Sequence, residues 1–284
     1  MYARLATWWT ILRVSVEERL VYRGDFALGT LMRFLPIVTQ IFLWGAIFSA
    51  IEQGGGASGE LQSGSVPRIA GYRYEDFVAY YLLTMISRAF SSMPGLASGV
   101  ARQIRDGEIK KYLIQPVDMI GFLLLGRVAH KFVYYGVAMA PFALVFYLCR
   151  DFFPGWPAPE VMAAYVASLA MAFLLGFYME ITLGLIGFWF LEVSSLLFVY
   201  MLFSFFLSGH MFPIDMLPAP LDTIVRLVPL QYLAYFPAAV FLGKIEGTQL
   251  VVGLAMQAAW LIFFVAMARW TFARGVRRYS GYGG

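Results

Sequence analysis

Residues 104–118 read IRDGEIKKYLIQPVD, a short charged segment between two long apolar runs. A helix needs about 20 apolar residues to cross the hydrocarbon core of a bilayer, and the runs on either side are that long. The segment itself has a helix-forming composition with six charged side chains. We therefore predict a charged connection that lies against one face of a membrane, and we call residues 104–118 the knuckle.

Composition indicates the same class of protein. Hydrophobic residues make up 61% of the chain and charged residues 13%, with a mean hydropathy of +0.72. A soluble domain carries roughly 25% charged residues, about twice that share. The apolar runs are long and continuous rather than short and alternating, which favours helices over a β-barrel. We predict a single all-α integral membrane domain over residues 1–284.

Several other classes are excluded by residue counts. Cys149 is the single cysteine, so an internal disulfide and a cysteine metal site are both excluded. His130 and His210 lie far apart in the sequence, and we expect no metal centre and no catalytic cluster. Glu17, Glu18 and Asp25 interrupt the first apolar run, which argues against a cleavable signal peptide. The net charge of +4 does not indicate a nucleic-acid partner, because the basic residues are distributed as topology signals.

The periodicity of the chain predicts nine successive parts. In residues 4–24, apolar residues recur at spacings of three and four and charged residues fall elsewhere on the helical wheel, which is typical of an amphipathic helix in the headgroup layer, with a soluble or disordered N-terminal segment as the alternative. Residues 100–118 form the cytoplasmic connection, and residues 212–243, too short and too proline-rich to span, are predicted to dip into one leaflet as a re-entrant hairpin. Six transmembrane spans are predicted at residues 26–50, 77–99, 119–148, 161–182, 190–210 and 250–268.

Orientation follows from the basic residues. If the first residues are cytoplasmic, the inner segments hold fourteen of the 21 Lys and Arg residues and the outer segments hold five. Cytoplasmic loops carry the excess of basic residues in membrane proteins, so we expect both ends of the chain in the cytoplasm. The tract Gly54–Gly59 lies on the outer side in this arrangement. It lacks the Gly-Lys-Ser/Thr ending of a phosphate loop, and we interpret it as a solvent loop.

Charges inside the predicted spans are candidate functional residues. Arg88 falls near the middle of span two, where an unpaired charge costs a few kcal/mol. It could meet an anionic part of a substrate or fix span two to a neighbouring helix, with Glu180 and Glu192 as the candidate partners. Arg127, His130 and Lys131 suggest that the start of span three projects from the membrane or snorkels. Gly184 and Gly187 are expected to mark the turn between spans four and five.

Aromatic residues are dense around span five. They could form a path for an amphipathic cargo, or they could simply face lipid and neighbouring helices. The residues concerned are Phe188, Trp189, Phe190, Phe198, Tyr200, Phe203, Phe205 and Phe206.

Three segments together resemble the permease subunits of type-2 ATP-binding-cassette (ABC) exporters of bacteria. The knuckle is similar to the element between spans two and three of that family. Ser208-Gly209, Phe212-Pro213, Leu217-Pro218 and Val228-Pro229 resemble its Ser-Gly and proline signature after span five. Phe236-Pro237 and Phe241-Leu242-Gly243 resemble the end of the re-entrant hairpin in one bacterial subfamily. The re-entrant motif residues are Gly209, Pro213, Pro218, Pro229 and Pro237.

The resemblance implies a permease that works by alternating access, as a dimer with itself or with a sister permease. It also implies two soluble ATPase subunits that hold ATP and Mg, with no cofactor in this chain, and a location in the bacterial inner membrane. The segment that couples the permease to the ATPase then falls on Arg105, Asp106, Gly107, Glu108, Lys110 and Lys111. An ordinary solvated charged loop is the alternative for these residues.

Two other functions stay open. A secondary transporter or channel would need no ATPase, although neither an inverted repeat nor a chain of intramembrane acids is evident. A membrane-embedded enzyme would need a reactive cluster at one depth, which the positions of His130, His210 and Cys149 do not suggest. The cargo itself is not indicated by the sequence, because one fold serves many substrates.

Overall fold

The computed structural model describes residues 2–21, 23–53, 68–153, 155–190 and 192–279. These residues form eleven α-helices and no strand, and their one β-type pairing is an isolated bridge between Ile69 and Tyr72. The glycine tract interpreted above as a solvent loop lies outside the described residues. The helices are α1 (Tyr2–Leu20), α2 (Arg23–Gln53), α3 (Tyr74–Ser91), α4 (Leu96–Arg105), α5 (Lys110–Leu113), α6 (Met119–Leu148), α7 (Pro159–Leu185), α8 (Ser194–Leu207), α9 (Leu221–Leu227), α10 (Tyr235–Phe241) and α11 (Gly247–Arg278).

Four helical segments in the described part of the chain are long and apolar enough to cross a membrane. They are Phe34–Gln53 in α2, Met119–Leu148, Pro159–Phe188 and Gly247–Arg278. Helix α8 is equally apolar but has 14 residues, fewer than the roughly 20 that a perpendicular span needs. The protein is therefore an all-helical, multi-pass membrane protein, and length and composition identify four of the six expected spans.

The second expected span, residues 77–99, is not one helix. Helix α3 ends at Ser91 and α4 begins at Leu96, so the chain is interrupted at residues 92–95. Pro94 has no backbone N–H to donate, and Gly95 has φ of +71°, a left-handed conformation that glycine adopts without a steric penalty. The expectation of a continuous span is corrected to two helices joined by a break, and we call residues 92–95 the helix break.

Helix α7 lies at the centre of the molecule and packs against α3, α4, α10 and α11. Its glycines allow the neighbouring backbones to approach closely. A Cβ atom on Gly176 would overlap the carbonyl oxygen of Ser91, and one on Gly184 would lie 2.7 Å from the carbonyl oxygen of Ala97. Gly184 therefore packs against α4 rather than marking the turn, which follows at the 3₁₀ helix Ile186–Phe188.

The knuckle end of the molecule also holds α1 and the end of α11. Helix α1 packs along α6, where a Cβ atom on Gly121 would lie 3.1 Å from the ring of Trp8. Arg269 of α11 donates a 2.5 Å hydrogen bond to Asp118 at the start of α6. Both helices that flank the chain thus contact the same end of α6, the end next to the knuckle.

The opposite end is closed by short helices between α8 and α11, in the range expected for a re-entrant hairpin. They are the 3₁₀ helix Ile214–Met216, α9, the 3₁₀ helix Pro229–Leu233 and α10. Each of these helices is shorter than eight residues. Helix α10 is buried against α3 and α7. We call residues 212–243 the hairpin.

Candidate functional site

A cavity of about 790 Å³ lies among α2, α3, α7, α8 and the helix break. Its wall is mainly apolar, with polar groups from several helices directed towards it. The chief polar lining residues are Arg88, Ser98, Glu180, Tyr200, Ser204 and His210. A concave, mostly apolar site with a few convergent polar groups is the usual form of a small-molecule site. This cavity is the candidate functional site.

The helix break forms one wall of the cavity, and its free carbonyl groups are bound by two basic side chains of α6. Lys131 is buried and donates to the carbonyl oxygens of Ala89 and, at 2.8 Å, of Ser92. Arg127 donates to the carbonyl oxygen of Pro94 at 3.1 Å. Backbone carbonyls at a helix end need such partners when no water is present. Both side chains thus contact the break, and the expectation that this end of α6 projects from the membrane or snorkels stays a prediction.

Glu180 of α7 complements the other side of the break. Its carboxylate lies within hydrogen-bonding reach of the backbone amides of Met93 and Ala97, with Arg127 and Arg88 as its cationic neighbours. Ala97 is in the first turn of α4, where backbone N–H groups are unpaired and the helix dipole favours a negative charge. The positively charged side chain of Lys131 therefore binds the end of α3, and the carboxylate of Glu180 faces the start of α4.

Arg88 lies on the same cavity wall, near the end of α3. Its guanidinium group donates to the hydroxyl of Ser204 on α8 at 3.2 Å. This contact joins α3 to α8 across the cavity, while Glu180 approaches from α7. The structure thus brings Arg88 and Glu180 into one site, and it does not bring Glu192 there.

Glu192 lies instead in the turn between α7 and α8, at the knuckle end. It is exposed, accepts a 2.8 Å hydrogen bond from the backbone N–H of Ser194, and faces Arg105 at 3.6 Å. Hydrogen bonds from the Ser194 side chain and backbone lower the pKa of Glu192. This ion pair connects the turn to the last residue of α4, although such an exposed pair contributes little to stability.

The knuckle is a compact turn held by one buried side chain. Asp106 follows the last residue of α4, Gly107 has φ of +76°, and Lys110 and Lys111 begin the one-turn helix α5. Ile109 is fully buried in an apolar cluster with residues of α4, α6 and α7. Ile109 thus attaches the turn to the body of the protein through apolar packing.

The outer face of the knuckle is charged with an apolar tip. Arg105, Asp106, Glu108, Lys110 and Lys111 are exposed, and the pairs among them are long contacts of 3.3 Å and 3.5 Å. Ile114 is 83% exposed and Leu113 is 38% exposed. The knuckle therefore presents exposed charges and an exposed apolar tip on one surface.

The residues of the hairpin motif have different structural roles. Gly209 has φ of +76°, and a side chain there would collide with Tyr235 and with the hydroxyl of Tyr80, which donates to the Gly209 carbonyl oxygen. Pro213 precedes the first 3₁₀ helix, and Pro229 begins the second. Pro218 lies between the first 3₁₀ helix and α9, and Pro237 lies in the buried helix α10.

Asp215 is the centre of a polar network that joins the hairpin to the start of α3. Its carboxylate accepts from Tyr72 at 2.6 Å, from Tyr235 at 2.7 Å and from Arg226 at 2.5 Å. Burial raises the pKa of Tyr72, and the neighbouring Tyr235 and Asp215 raise it further, so that its hydroxyl remains a donor. The network fixes the hairpin over the outer end of α3.

The sequence interpretation missed the helix break and its contact with Lys131 at the site, and it missed the separate network around Asp215 in the hairpin. One local signal for the break was present, since Pro94-Gly95 is a dipeptide that marks turns. The aromatic residues of span five are divided: Tyr200 and Phe205 line the cavity, whereas Phe198 and Phe203 are exposed on the outer face of α8. No group of three or more His, Cys, Asp or Glu side chains suited to a metal ion occurs among the described residues.

A comparison with curated proteins finds no match to the chain. A comparison with protein families does find one. A family model described as "ABC-2 family transporter protein" matches residues 34–283, which is most of the chain and includes the cavity, the knuckle and the hairpin. The chain therefore belongs to the ABC-2 family of transporter proteins.

Proposed function

We propose that this protein is the permease subunit of an ATP-driven ABC exporter and moves a substrate outward across the bacterial inner membrane. It works by alternating access in a dimer, formed with a second copy or with a sister permease. The observation that carries the proposal is the direct connection by α4: one end forms the cavity wall and the other end forms the knuckle. Family membership supports the same role.

The proposed topology has six spans, with α3 and α4 together as the second and α8 as the fifth. The hairpin then dips into the outer leaflet, and α1 lies along the inner membrane surface. Several contacts support this arrangement, because α1, the knuckle, the end of α11 and the turn at Glu192 all lie at one end of the molecule. The excess of Lys and Arg in the corresponding segments supports a cytoplasmic side for that end.

The proposed mechanism transmits motion along α4. Two ATPase subunits bind the knuckles of the two permeases. When ATP binding brings the ATPase subunits together, each α4 tilts as a rigid helix about 15 Å long. The helix break acts as the pivot, because the series of helical backbone hydrogen bonds is interrupted at Pro94 and Gly95. Since Glu180 and Lys131 bind the two sides of the break, tilting α4 changes the cavity wall that Arg88 and Glu180 share.

The energy source in this proposal is a separate protein. The single Gly-Lys pair of this chain, Gly243-Lys244, is followed by Ile245 rather than Ser or Thr, so it is not a P-loop. ATP and Mg²⁺ accordingly bind to the partner ATPase, and the permease itself supplies the substrate path. We assign no enzymatic activity to this subunit.

The test is affinity purification of the tagged full-length chain from its native membranes, followed by identification of co-purifying proteins. We expect a stoichiometric ATPase, and a second permease if the dimer is mixed. Ile114→Asp places a charge on the exposed tip of the knuckle and should release the ATPase without affecting the fold. Thr248→Asp is the control, because Thr248 is exposed in the first turn of α11, at the opposite end of the molecule and outside the hairpin, where an added negative charge is tolerated.

The second candidate is a secondary transporter or channel. The helix break favours it specifically, because discontinuous helices that line a cavity are typical of secondary transporters. The same purification separates the two functions. A chain that purifies with no ATPase under several mild conditions, and equally so in both variants, would support the carrier or channel and contradict the exporter.

A further inference from the structure

A second large cavity lies on the membrane-facing side of the protein, away from the candidate functional site. It is a groove of about 700 Å³ between α3, α6, α7 and α10. Leu83, Ile86, Met139, Phe142 and Phe146 are among its apolar lining residues. Its rim is open, since Met139, Tyr147 and Trp156 are each more than 60% exposed.

The dimensions of the groove match one lipid chain. Along α6 it extends from Tyr135 to Tyr147 and continues to Arg150, which is about 20 Å at 1.5 Å per residue. One leaflet contributes about half of a 30 Å hydrocarbon core, so the groove is deep enough for a full acyl chain. Its inner end is closed by Phe90 and Tyr135, whose rings stack with centroids 4.4 Å apart.

The outer end of the groove carries groups that suit a lipid headgroup. Arg150 lines this end, is well exposed, and lies over the ring of Tyr147 at 4.9 Å. Its contact with the exposed carboxylate of Asp151 is long, at 3.5 Å, so a phosphate can compete for the guanidinium. Trp156 is 88% exposed beside it, as expected of a residue at the membrane–water interface.

Tyr165 supplies an independent observation. Its side chain lines the groove and is 93% buried, and its hydroxyl has no hydrogen-bond partner among the residues that the structure describes. A buried hydroxyl without a partner costs about 1–3 kcal/mol. Tyr165 is about 9 Å along α7 from its first residue, a depth that suits the ester groups of a phospholipid rather than its phosphate.

We propose that this groove is a specific site for a membrane glycerophospholipid. One acyl chain fills the apolar groove and the phosphate binds Arg150, while the Tyr165 hydroxyl, which is closed off from the groove in the structure, turns towards it and donates to an ester carbonyl. The site is formed by residues of this chain alone. It therefore does not depend on the ATPase, and its failure would leave the proposed exporter function untouched.

The test is a titration of the purified, delipidated full-length chain with 1-palmitoyl-2-oleoyl-phosphatidylglycerol. Native mass spectrometry counts the bound lipid, and intrinsic fluorescence gives the melting temperature. We expect one tightly bound lipid per chain and a rise in melting temperature, because a ligand that binds the folded state stabilises it. Palmitate should bind more weakly than the phospholipid, and inorganic phosphate alone should not bind. Binding of phosphate alone at the same concentration would contradict the site.

Variants separate a specific site from general coating by lipid. Ala143→Trp fills the groove and should abolish the retained lipid, whereas the matched control Leu144→Trp, on the next residue and outside the lining, should keep it. Arg150→Gln should weaken binding of phosphatidylglycerol and leave binding of 1-palmitoyl-2-oleoyl-glycerol, which lacks the phosphate, unchanged. Equal lipid retention in both tryptophan variants would overturn the proposal.

Tyr165→Phe gives a readout that does not require binding to be lost. Without lipid, this variant should melt at or above the temperature of the wild type, because an unsatisfied buried hydroxyl has been removed. With lipid, its affinity should fall about fivefold, the effect of one neutral hydrogen bond. A lower melting temperature in the lipid-free variant would show that the hydroxyl serves the fold instead, and would contradict the proposed contact.

Discussion

At the scale of single residues, the site depends on charged side chains that bind backbone groups rather than each other. Lys131 binds two carbonyl oxygens at the end of α3, and Glu180 faces the free amides at the start of α4. Inside a bilayer, an unsatisfied backbone group costs several kcal/mol. These side chains therefore make an interrupted helix possible where a continuous one was expected.

Lys131→Met tests this role. The substitution keeps the length of the side chain but leaves the carbonyl oxygens of Ala89 and Ser92 without their buried donor, and we expect a loss of about 1–3 kcal/mol of stability. The measurement is thermal unfolding in mild detergent. Lys110→Met is the control, because Lys110 is exposed on the knuckle, and it should leave the unfolding midpoint unchanged.

Gly176 gives a second prediction at this scale. Ala at this position would push its methyl group into the carbonyl oxygen of Ser91, and neither backbone can move easily. We expect a loss of about 1–3 kcal/mol, as for other overpacked positions. Gly126→Ala on α6 should instead raise the free energy of unfolding by up to about 1 kcal/mol. Alanine favours the helix more than glycine does, and nothing lies within 4 Å of the new Cβ atom. Equal unfolding midpoints for the two variants would argue against the close approach of α7 and α3.

At the scale of elements, Asp215 links the hairpin to Tyr72, just before α3, and adds a polar network to the apolar packing of α10. Asp215→Ala would leave the hydroxyls of Tyr72 and Tyr235 and the guanidinium of Arg226 without their shared acceptor. We expect faster amide hydrogen exchange in residues 229–241, with no change in α6. Exchange reports such local opening directly.

Asp222→Ala is the control for this experiment. Asp222 lies in the same hairpin, on α9, but it accepts a 3.2 Å hydrogen bond from the neighbouring hydroxyl of Thr223 and is not part of the Asp215 network. Its exchange pattern should match the wild type. If Asp222→Ala accelerated exchange as much as Asp215→Ala, the network around Asp215 would not be what holds the hairpin.

The helices show which features of the fold could be predicted from the sequence and which could not. Long apolar runs identify helices by composition alone, so the helical range 119–148 coincides with α6 and the all-helical class is confirmed. The break in span two was missed because Ser92 and Met93 do not lower the hydropathy of the run, although Pro94-Gly95 is a turn signal. The contacts of Arg127 and Lys131 with the break could not be predicted, because their partners are backbone atoms some 33 to 42 residues earlier, which no local pattern reveals.

At the scale of the whole molecule, the cavity and the knuckle lie at opposite ends of the short helix α4. The knuckle is fixed to α4 by the buried Ile109 and is tied to the turn before α8 by Arg105 and Glu192. A push on the knuckle must therefore displace α4 or bend the chain at the helix break.

The most direct measurement is the accessibility of Ser98, which lies on α4 and lines the cavity. In membranes that contain the partner ATPase, the Ser98→Cys variant, made in a Cys149→Ser background, is treated with a thiol-reactive maleimide with and without a non-hydrolysable ATP analogue. The account predicts that nucleotide changes the labelling rate when the knuckle is intact and has no effect with Ile114→Asp. A rate that nucleotide does not change while the ATPase is bound, or that changes equally in the Ile114→Asp variant, would contradict coupling through the knuckle.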